Sequence, residues 1–429
     1  MNKGNTSSSN RRLNENPCVA VAMLGARMHY AVPKMLHQAG LLGRFYTDVY
    51  AGNKPLLQKV ISIIPEKRRP RSVKKLIGRC DAEIPSDKVF SFDIFGFATA
   101  FQVKRHKTVG QSYDHLARSA KRFNELIISR GLEHCNMVFG FDGASRELFN
   151  YARGRGILCV LEQTIAPIRV QNQLLSEELR RWPDWEYQHF LPEDEHPFID
   201  REEREWEIAD VIIGGSDFVI EGLSSLRVEP GKCRVVPYGV DLERFSRTNQ
   251  KKSSRGKLRV LFMGQVGLRK GVPYLLEALN LLGTYQIEVK MAGKVSISRN
   301  QIAPYTHIVS LLGEVPRVEI GNLYSWADIL VLPSLCEGSA TVTYEAMASG
   351  VPVIATPNTG SLVRDGVDGR LVPIRDGEAI ASALDAYLSD RSLLETHTQG
   401  AWEGRWRCGL DAYRERLVRE IKSAWEGSS

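Results

Sequence analysis

No stretch of this 429-residue chain approaches the roughly 20 apolar residues that a membrane-spanning helix requires. Its first residues, M-N-K-G-N-T-S-S-S-N-R-R-L-N-E-N-P, lack the apolar core of a signal peptide and predict a disordered tail over 1–16. Seven cysteines are scattered without a C-x-x-C pair or metal-ligand spacing, and their odd number argues against a disulfide framework. These absences disfavour secretion and predict a reducing, cytoplasmic setting. The sequence also has no D-x-D motif, no internal short-period repeat and no nucleic-acid-binding motif, so neither a metal-dependent centre nor a nucleic-acid partner is expected.

What is present is an ordinary globular composition, 43% hydrophobic and 25% charged, in a chain too long for one compact core. Two domains are therefore expected. The formal charge of +7 hides an asymmetry. Residues 1–130 carry 23 Lys and Arg against 9 Asp and Glu, whereas residues 131–236 carry 11 against 20. The basic excess is concentrated in 54–79, where apolar pairs alternate with cations. Such a segment can lie on an anionic membrane, each nearby cation contributing about 1 kcal/mol. It can equally be a solvated insertion loop, and Pro65 and Pro70 would break a continuous amphipathic helix.

Apolar strand candidates alternate with helical segments, the pattern of doubly wound parallel sheets. In the first half, strands are predicted at 19–24, 45–49, 89–92, 137–141, 158–161 and 211–214, with helices at 111–129, 145–153, 172–181 and 201–209. A second series of strands runs through 258–263, 288–292, 307–311, 329–332 and 353–355. The fold class is thus α/β, with two Rossmann-like domains, 17–236 and 237–401, and a polar run at 246–257 leading into the second. A stripe of Trp406, Leu410, Tyr413, Leu417 and Ile421 predicts one helix over about 402–425.

The richest stretch is L-P-S-L-C-E-G-S-A-T-V-T-Y-E-A-M-A-S-G, which sets Glu337 and Glu345 eight residues apart. The apolar run 329–333 reads as a buried strand, Glu337-Gly338-Ser339-Ala340 as a turn, and 341–349 as a helix stopped by Gly350. In an open parallel sheet, ligands bind beyond the carboxyl ends of the strands, against helix N-termini that favour anions. Thr341 and Glu345 are one helical turn apart and share a face, so Glu345 can look into the cleft over which Glu337 hangs.

These residues resemble the E-x7-E signature of retaining glycosyltransferases of the GT-B fold, family 4 of the nucleotide-sugar transferases. Val236-Pro237-Tyr238-Gly239-Val240-Asp241 with Phe245 is similar to that family's interdomain segment. Phe262-Met263-Gly264-Gln265 followed by Arg269-Lys270-Gly271 is similar to its first donor-domain strand and phosphate-binding pair. Gly360-Ser361 and Gly366-Val367-Asp368-Gly369 fit the continuation, so the resemblance covers about residues 211–375.

The resemblance implies a GT-B architecture with an interdomain cleft, the acceptor side in the first domain, and the helix at 402–425 packed back on that domain. It implies that Arg269 and Lys270 receive the phosphate oxygens of the leaving diphosphate and that Glu337 contacts the donor sugar. Gly338, Ser339, Ala340 and Thr341 would support the sugar and distal phosphate. Glu345 would accept the ribose hydroxyls, the loop at Val315 would read the base, and Gly25 and Gly264 would let backbone approach the donor. The donor would be UDP- or GDP-linked, used without metal or cofactor and with retention of configuration. The acceptor would be a glycan or a lipid-linked group.

The first domain departs from the family pattern. A glycine pair is expected after the first strand, and the chain has Leu24-Gly25-Ala26-Arg27-Met28-His29; a mid-domain histidine is expected, and neither 139–143 nor 160–164 has one. Arg27, His29 and Glu162 are the acceptor-side candidates. The leading expectation is a cytoplasmic glycosyltransferase peripheral to the inner face of the membrane. The alternatives are a GT-B sugar-nucleotide epimerase and a non-catalytic GT-like protein that binds a sugar nucleotide.

Overall fold

The computed structural model describes residues 16–52, 54, 78–103, 109–186, 197–245, 256–283 and 286–427. The expected tail, apart from Asn16, lies outside the described residues, as do most of the basic segment 54–79 and most of the polar run 246–257.

Two all-parallel sheets organise the chain. The first joins β1 (Val19–Met23), β2 (Leu42–Thr47), β3 (Val89–Ser91), β4 (Met137–Phe141), β5 (Leu158–Gln163), β6 (Val211–Gly214) and β7 (Cys233–Val235) in the order β3-β2-β1-β4-β5-β6-β7. The second joins β8 (Leu258–Met263), β9 (Ile287–Ala292), β10 (Val309–Gly313), β11 (Ile329–Leu332), β12 (Val353–Ala355) and β13 (Gly369–Leu371) in the order β10-β9-β8-β11-β12-β13. Every residue of β1, β4, β5 and β11 is buried, as expected for strands covered by helices on both faces.

Around the first sheet lie α1 (Ala31–Gln38), α2 (Asp93–Val103), α3 (Val109–Arg130), α4 (Arg146–Arg153), α5 (Ile168–Arg181), α6 (Pro197–Ile208) and α7 (Asp217–Ser225). The second carries α8 (Val272–Leu282), α9 (Ile320–Trp326), α10 (Thr341–Ala348), α11 (Gly377–Ser389) and α12 (Arg391–Gly404), and α13 (Leu410–Gly427) follows. The strand order reverses between β1 and β4 in one sheet and between β8 and β11 in the other. Crevices at such reversals are where open α/β sheets bind ligands.

Acidic residues of α6 brace the loops that follow β4 and β5. Glu205 accepts from the amides of Gly143, Ser145 and Arg146 at 2.6, 2.7 and 3.0 Å, which caps α4. Glu202 accepts from the amide of Ile168 at 3.0 Å and so caps α5.

The single helix expected over 402–425 is two helices. α12 ends at Gly404, a 3-10 turn spans Arg405–Cys408, and α13 begins after Gly409. The break has a packing cause. The amide of Val240 donates to Cys408 O at 2.8 Å and that of Leu410 to Val240 O at 3.1 Å, so the chain lies extended beside 239–240. Trp406, expected in the docking stripe, is 66% exposed, while Tyr413, Leu417, Ile421 and Trp425 are buried in one cluster with Met35 and Leu36 of α1. The strands β7 and β13 have no counterpart among the expected elements.

Candidate functional site

The loop after β11 is pinned from two sides. Asn358 Nδ2 donates to Leu335 O at 2.8 Å, the amide of Glu337 to Asn358 O at 3.1 Å and that of Ala340 to Thr359 O at 3.1 Å. From the other side Arg269 Nη1 donates to Cys336 O at 2.9 Å. Gly271 makes this approach possible. Its φ is +70°, and a β-carbon there would fall 1.9 Å from Pro333 O. The turn Leu268–Lys270 therefore rests directly on the end of β11.

Arg269 and Lys270 converge on one carboxylate oxygen. Glu337 Oε1 lies 2.5 Å from Arg269 Nη1 and 2.8 Å from Lys270 Nζ. Lys270 is 8% exposed. Burial, the largest influence, depresses its amine below the usual lysine range, against the opposing pull of Glu337. Gly264, at φ +133°, leaves room for the Lys270 stem, whose Cε would be 3.1 Å from a β-carbon there. One anionic oxygen shared by two cations leaves guanidinium and ammonium donors for further acceptors, which suits a diphosphate.

Glu345 stands half-buried on α10, one turn after Thr341. Its Oε2 accepts from Tyr324 Oη at 2.8 Å. Burial raises its pKa, opposed by Tyr324 and by the charges of Arg317 and Arg244. Arg317 Nη1 also donates to His29 Nε2, joining the second domain to the loop after β1. His29 is held below the usual histidine range by burial and then by Arg317 and Arg244. Met28, His29 and Tyr30 have φ of 47°, 51° and 64°, a run of left-handed non-glycine residues that stores strain at the cleft. Val315 sits half-buried on the loop after β10.

Gly338 and Ser339 serve the junction between domains. A β-carbon on Gly338 would come within 1.9 Å of Thr164 O, at the end of β5. Ser339 Oγ accepts from the amide of Tyr238 at 3.2 Å and meets Tyr344 Oη at 2.6 Å. With the Ala340 amide committed to Thr359, the amides of this turn are only in part available to a ligand.

On the first domain, Arg27 Nη1 reaches Thr164 Oγ1 at 3.0 Å and Asp142 Oδ1 at 3.4 Å. The Gly25 amide is committed to Asp48 Oδ1 at 3.0 Å. A cavity of about 460 Å³ brings Arg27, Asp142 and Gly143 to the same space as Gln265, Leu268 and Arg269. The loops at both strand-order reversals thus open on one cleft. Glu162 differs from its expected place as an open acceptor contact. It is 2% exposed, lines neither this cavity nor the one described below, and accepts from Tyr238 Oη at 2.6 Å. Its burial raises its pKa to about 7, opposed by Tyr238 and Arg27.

Sequence reasoning missed Arg244, Arg317, Tyr324 and Asn358. Arg317 stands two residues beyond Val315 and Arg244 immediately before Phe245, and these proximities are local signals; Tyr324 and Asn358 are brought in by tertiary contact.

Comparison with known proteins fits this geometry. The model of the family "Glycosyl transferases group 1" matches residues 257–390, the segment that holds Gly264, Arg269, Lys270, Glu337 and Glu345. A D-inositol 3-phosphate glycosyltransferase of Geodermatophilus obscurus is 35% identical over 191 residues, covering 39% of this chain and 42% of that protein. The putative colanic acid biosynthesis glycosyltransferase WcaL of Salmonella typhimurium is 27% identical over 233 residues, 50% of this chain and 56% of that protein. The chain spans about half the length of the curated relatives it matches.

Solved structures extend the likeness across both domains. Anabaena HepE in complex with UDP superimposes with a TM-score of 0.60 at 14% identity, covering 95% of this chain and all of that one. Sucrose-phosphate synthase from Thermosynechococcus elongatus gives 0.62 at 16% identity, covering 96% and 100%. The fold is GT-B. Two Rossmann-like parallel-sheet domains with one cleft between their strand-order reversals are the GT-B arrangement, and at these identities the structural likeness speaks to fold alone.

Proposed function

We propose that this chain is a retaining glycosyltransferase of family 4 that moves a sugar from a UDP- or GDP-linked donor to a glycan or lipid-linked acceptor without a metal. The observation that carries the reading is the pairing of Arg269 and Lys270 on Glu337, between the loops that follow β8 and β11. Breaking the donor's anomeric bond leaves a diphosphate of growing negative charge. Two cations, one of them in a dry setting, stabilise that charge more in the transition state than in the ground state. When the diphosphate engages them, the shared oxygen of Glu337 is released to accept from the sugar hydroxyls. Glu345, held by Tyr324, has a second oxygen for the ribose. The departing phosphate assists deprotonation of the acceptor hydroxyl on the same face, which gives retention.

The group 1 match and the UDP bound by Anabaena HepE support the nucleotide-sugar part of this reading. Among the described residues no helix is long and apolar enough to cross a membrane, and none of the seven cysteines is in a disulfide. We place the protein in the cytoplasm, with the basic segment 54–79 as its contact with an anionic membrane. The test is incubation with labelled UDP- and GDP-sugars and membrane extract, with and without EDTA. Labelled α-linked product from an α-linked donor, formed equally in EDTA, is expected. Inverted product, strict dependence on added Mg²⁺ or Mn²⁺, or an epimerised sugar nucleotide as the sole product would overturn the corresponding part.

A further inference from the structure

A second cavity of about 870 Å³ adjoins the cleft and lies wholly within the first domain. It shares Arg27, Leu116, Asp142, Gly143 and Phe198 with the cavity that reaches Arg269, so the two meet at these residues. Its volume falls in the range of about 300–1,000 Å³ typical of small-molecule sites. Among the described residues four charged ones line it, and each is already paired. Arg79 Nη1 holds Asp48 Oδ2 at 2.7 Å, and Arg27 Nη1 faces Asp142 Oδ1 at 3.4 Å. Much of the remaining wall is apolar, with Leu24, Val49, Phe97, Ala100, Phe101 and Ala120. A polar glycan would find its donors and acceptors largely spent here, whereas hydrocarbon would gain by leaving water.

The outer rim is apolar too. Ile94, Phe97 and Phe101 of α2 are 90%, 52% and 58% exposed, and spacings of three and four residues put them on one helical face. Phe97 and Phe101 belong both to this exposed face and to the cavity wall. Gly96 allows the arrangement, since a β-carbon there would strike Val49 Cγ2 at 2.4 Å and Asp48 O at 2.8 Å. An apolar passage therefore runs from the surface of α2 to the junction at Arg27 and Asp142.

We propose that this cavity holds the hydrocarbon chain of a lipid acceptor, with the polar head at Arg27 and Asp142 and its hydroxyl facing Arg269 across the cleft. This inference rests on the glycosyltransferase reading and selects the lipid-linked acceptor over the glycan. The exposed face of α2 lets the chain pass between a bilayer and the protein without crossing water.

Hexyl, octyl and decyl β-glucosides, below their micelle concentrations, and free glucose are the probes, with binding measured calorimetrically. Affinity is expected to rise about fourfold per added methylene until the cavity is filled. Ala100 is exposed on α2 and lines the cavity, so Ala100→Trp fills the space without disturbing a core. It should abolish the dependence on chain length and leave UDP and GDP affinity unchanged, and Phe97→Ser should reduce the dependence. Equal binding of glucose and decyl glucoside, or an unchanged slope in Ala100→Trp, overturns the tail site. If the wild type binds neither UDP nor GDP, the transferase reading falls and the acceptor role with it, whatever the slope.

Discussion

Lys270 Nζ and Glu337 Oε1 are 2.8 Å apart in a setting that leaves the lysine 8% exposed. A buried ammonium is tolerable because that carboxylate is there, even though Arg269 competes for the same oxygen. Glu337→Gln removes the counter-charge and keeps the shape. Breaking one side of a buried pair typically costs about 3–5 kcal/mol, so urea unfolding should show a stability loss of about 3 kcal/mol. Unchanged stability would mean that solvent, rather than Glu337, balances Lys270.

Arg269→Ala should act on rate more than on binding. Loss of one donor to a developing charge elsewhere lowers turnover by about 10² to 10³. We expect kcat to fall by that amount, with a much smaller change in UDP or GDP dissociation constant. A folded variant with wild-type kcat would remove Arg269 from the reaction.

Gly338→Ala tests the junction itself. The new methyl group would lie 1.9 Å from Thr164 O, so the loop holding Glu337 must retreat from the first domain. Misplacing reacting groups by about 1 Å can cost about 10² in rate. Turnover should fall by that order while the urea midpoint moves little, and an unaltered kcat would show that the contact has no bearing on chemistry.

Glu162 makes stability depend on pH. Its folded pKa, raised to about 7 by burial, exceeds the usual carboxylate value, so the folded state binds more protons than the unfolded chain between about pH 4.5 and 7. Its contribution to stability is therefore greatest in acid and is lost as pH rises through that window. Glu162→Gln keeps an acceptor for Tyr238 and removes the titration. The variant should match the wild type below about pH 4 and exceed it at pH 8 by on the order of 3 kcal/mol. A difference that does not vary with pH, read from urea melts, would contradict the assignment.

The parallel-sheet framework was legible because buried strands are apolar throughout. β4, β6, β8, β11 and β12 have the bounds that their apolar runs predict. β7 and β13 were not legible, since three residues with a central arginine, Arg234 or Arg370, give no apolar run. The helical stripe at 402–425 misled because side-chain periodicity does not register the pairing of 408–410 with Val240. In the second domain, local spacing reported the loop with Glu337, and the family resemblance pointed to the turn with Arg269. Partnerships across long sequence separations were hidden: Tyr324 with Glu345, Arg317 with His29, and Gly338 against Thr164. Glu162 was an acceptor-side candidate in the sequence, which does not register its cover by Tyr238, supplied by a segment 76 residues away.

The packing of α13 on α1 bears on the order in which the chain matures. Synthesis delivers the first domain's strands early, yet Tyr413, Leu417 and Ile421 complete its hydrophobic cluster only when nearly all of the second domain has left the ribosome. Domains otherwise tend to fold as they emerge. Here the face of α1 stays wet until α13 arrives, and Arg414 then fastens it by donating to Gln38 Oε1 at 3.0 Å. The first domain is thus finished after the second, and a nascent chain stalled before α13 would present an open apolar groove to the cell's holdases.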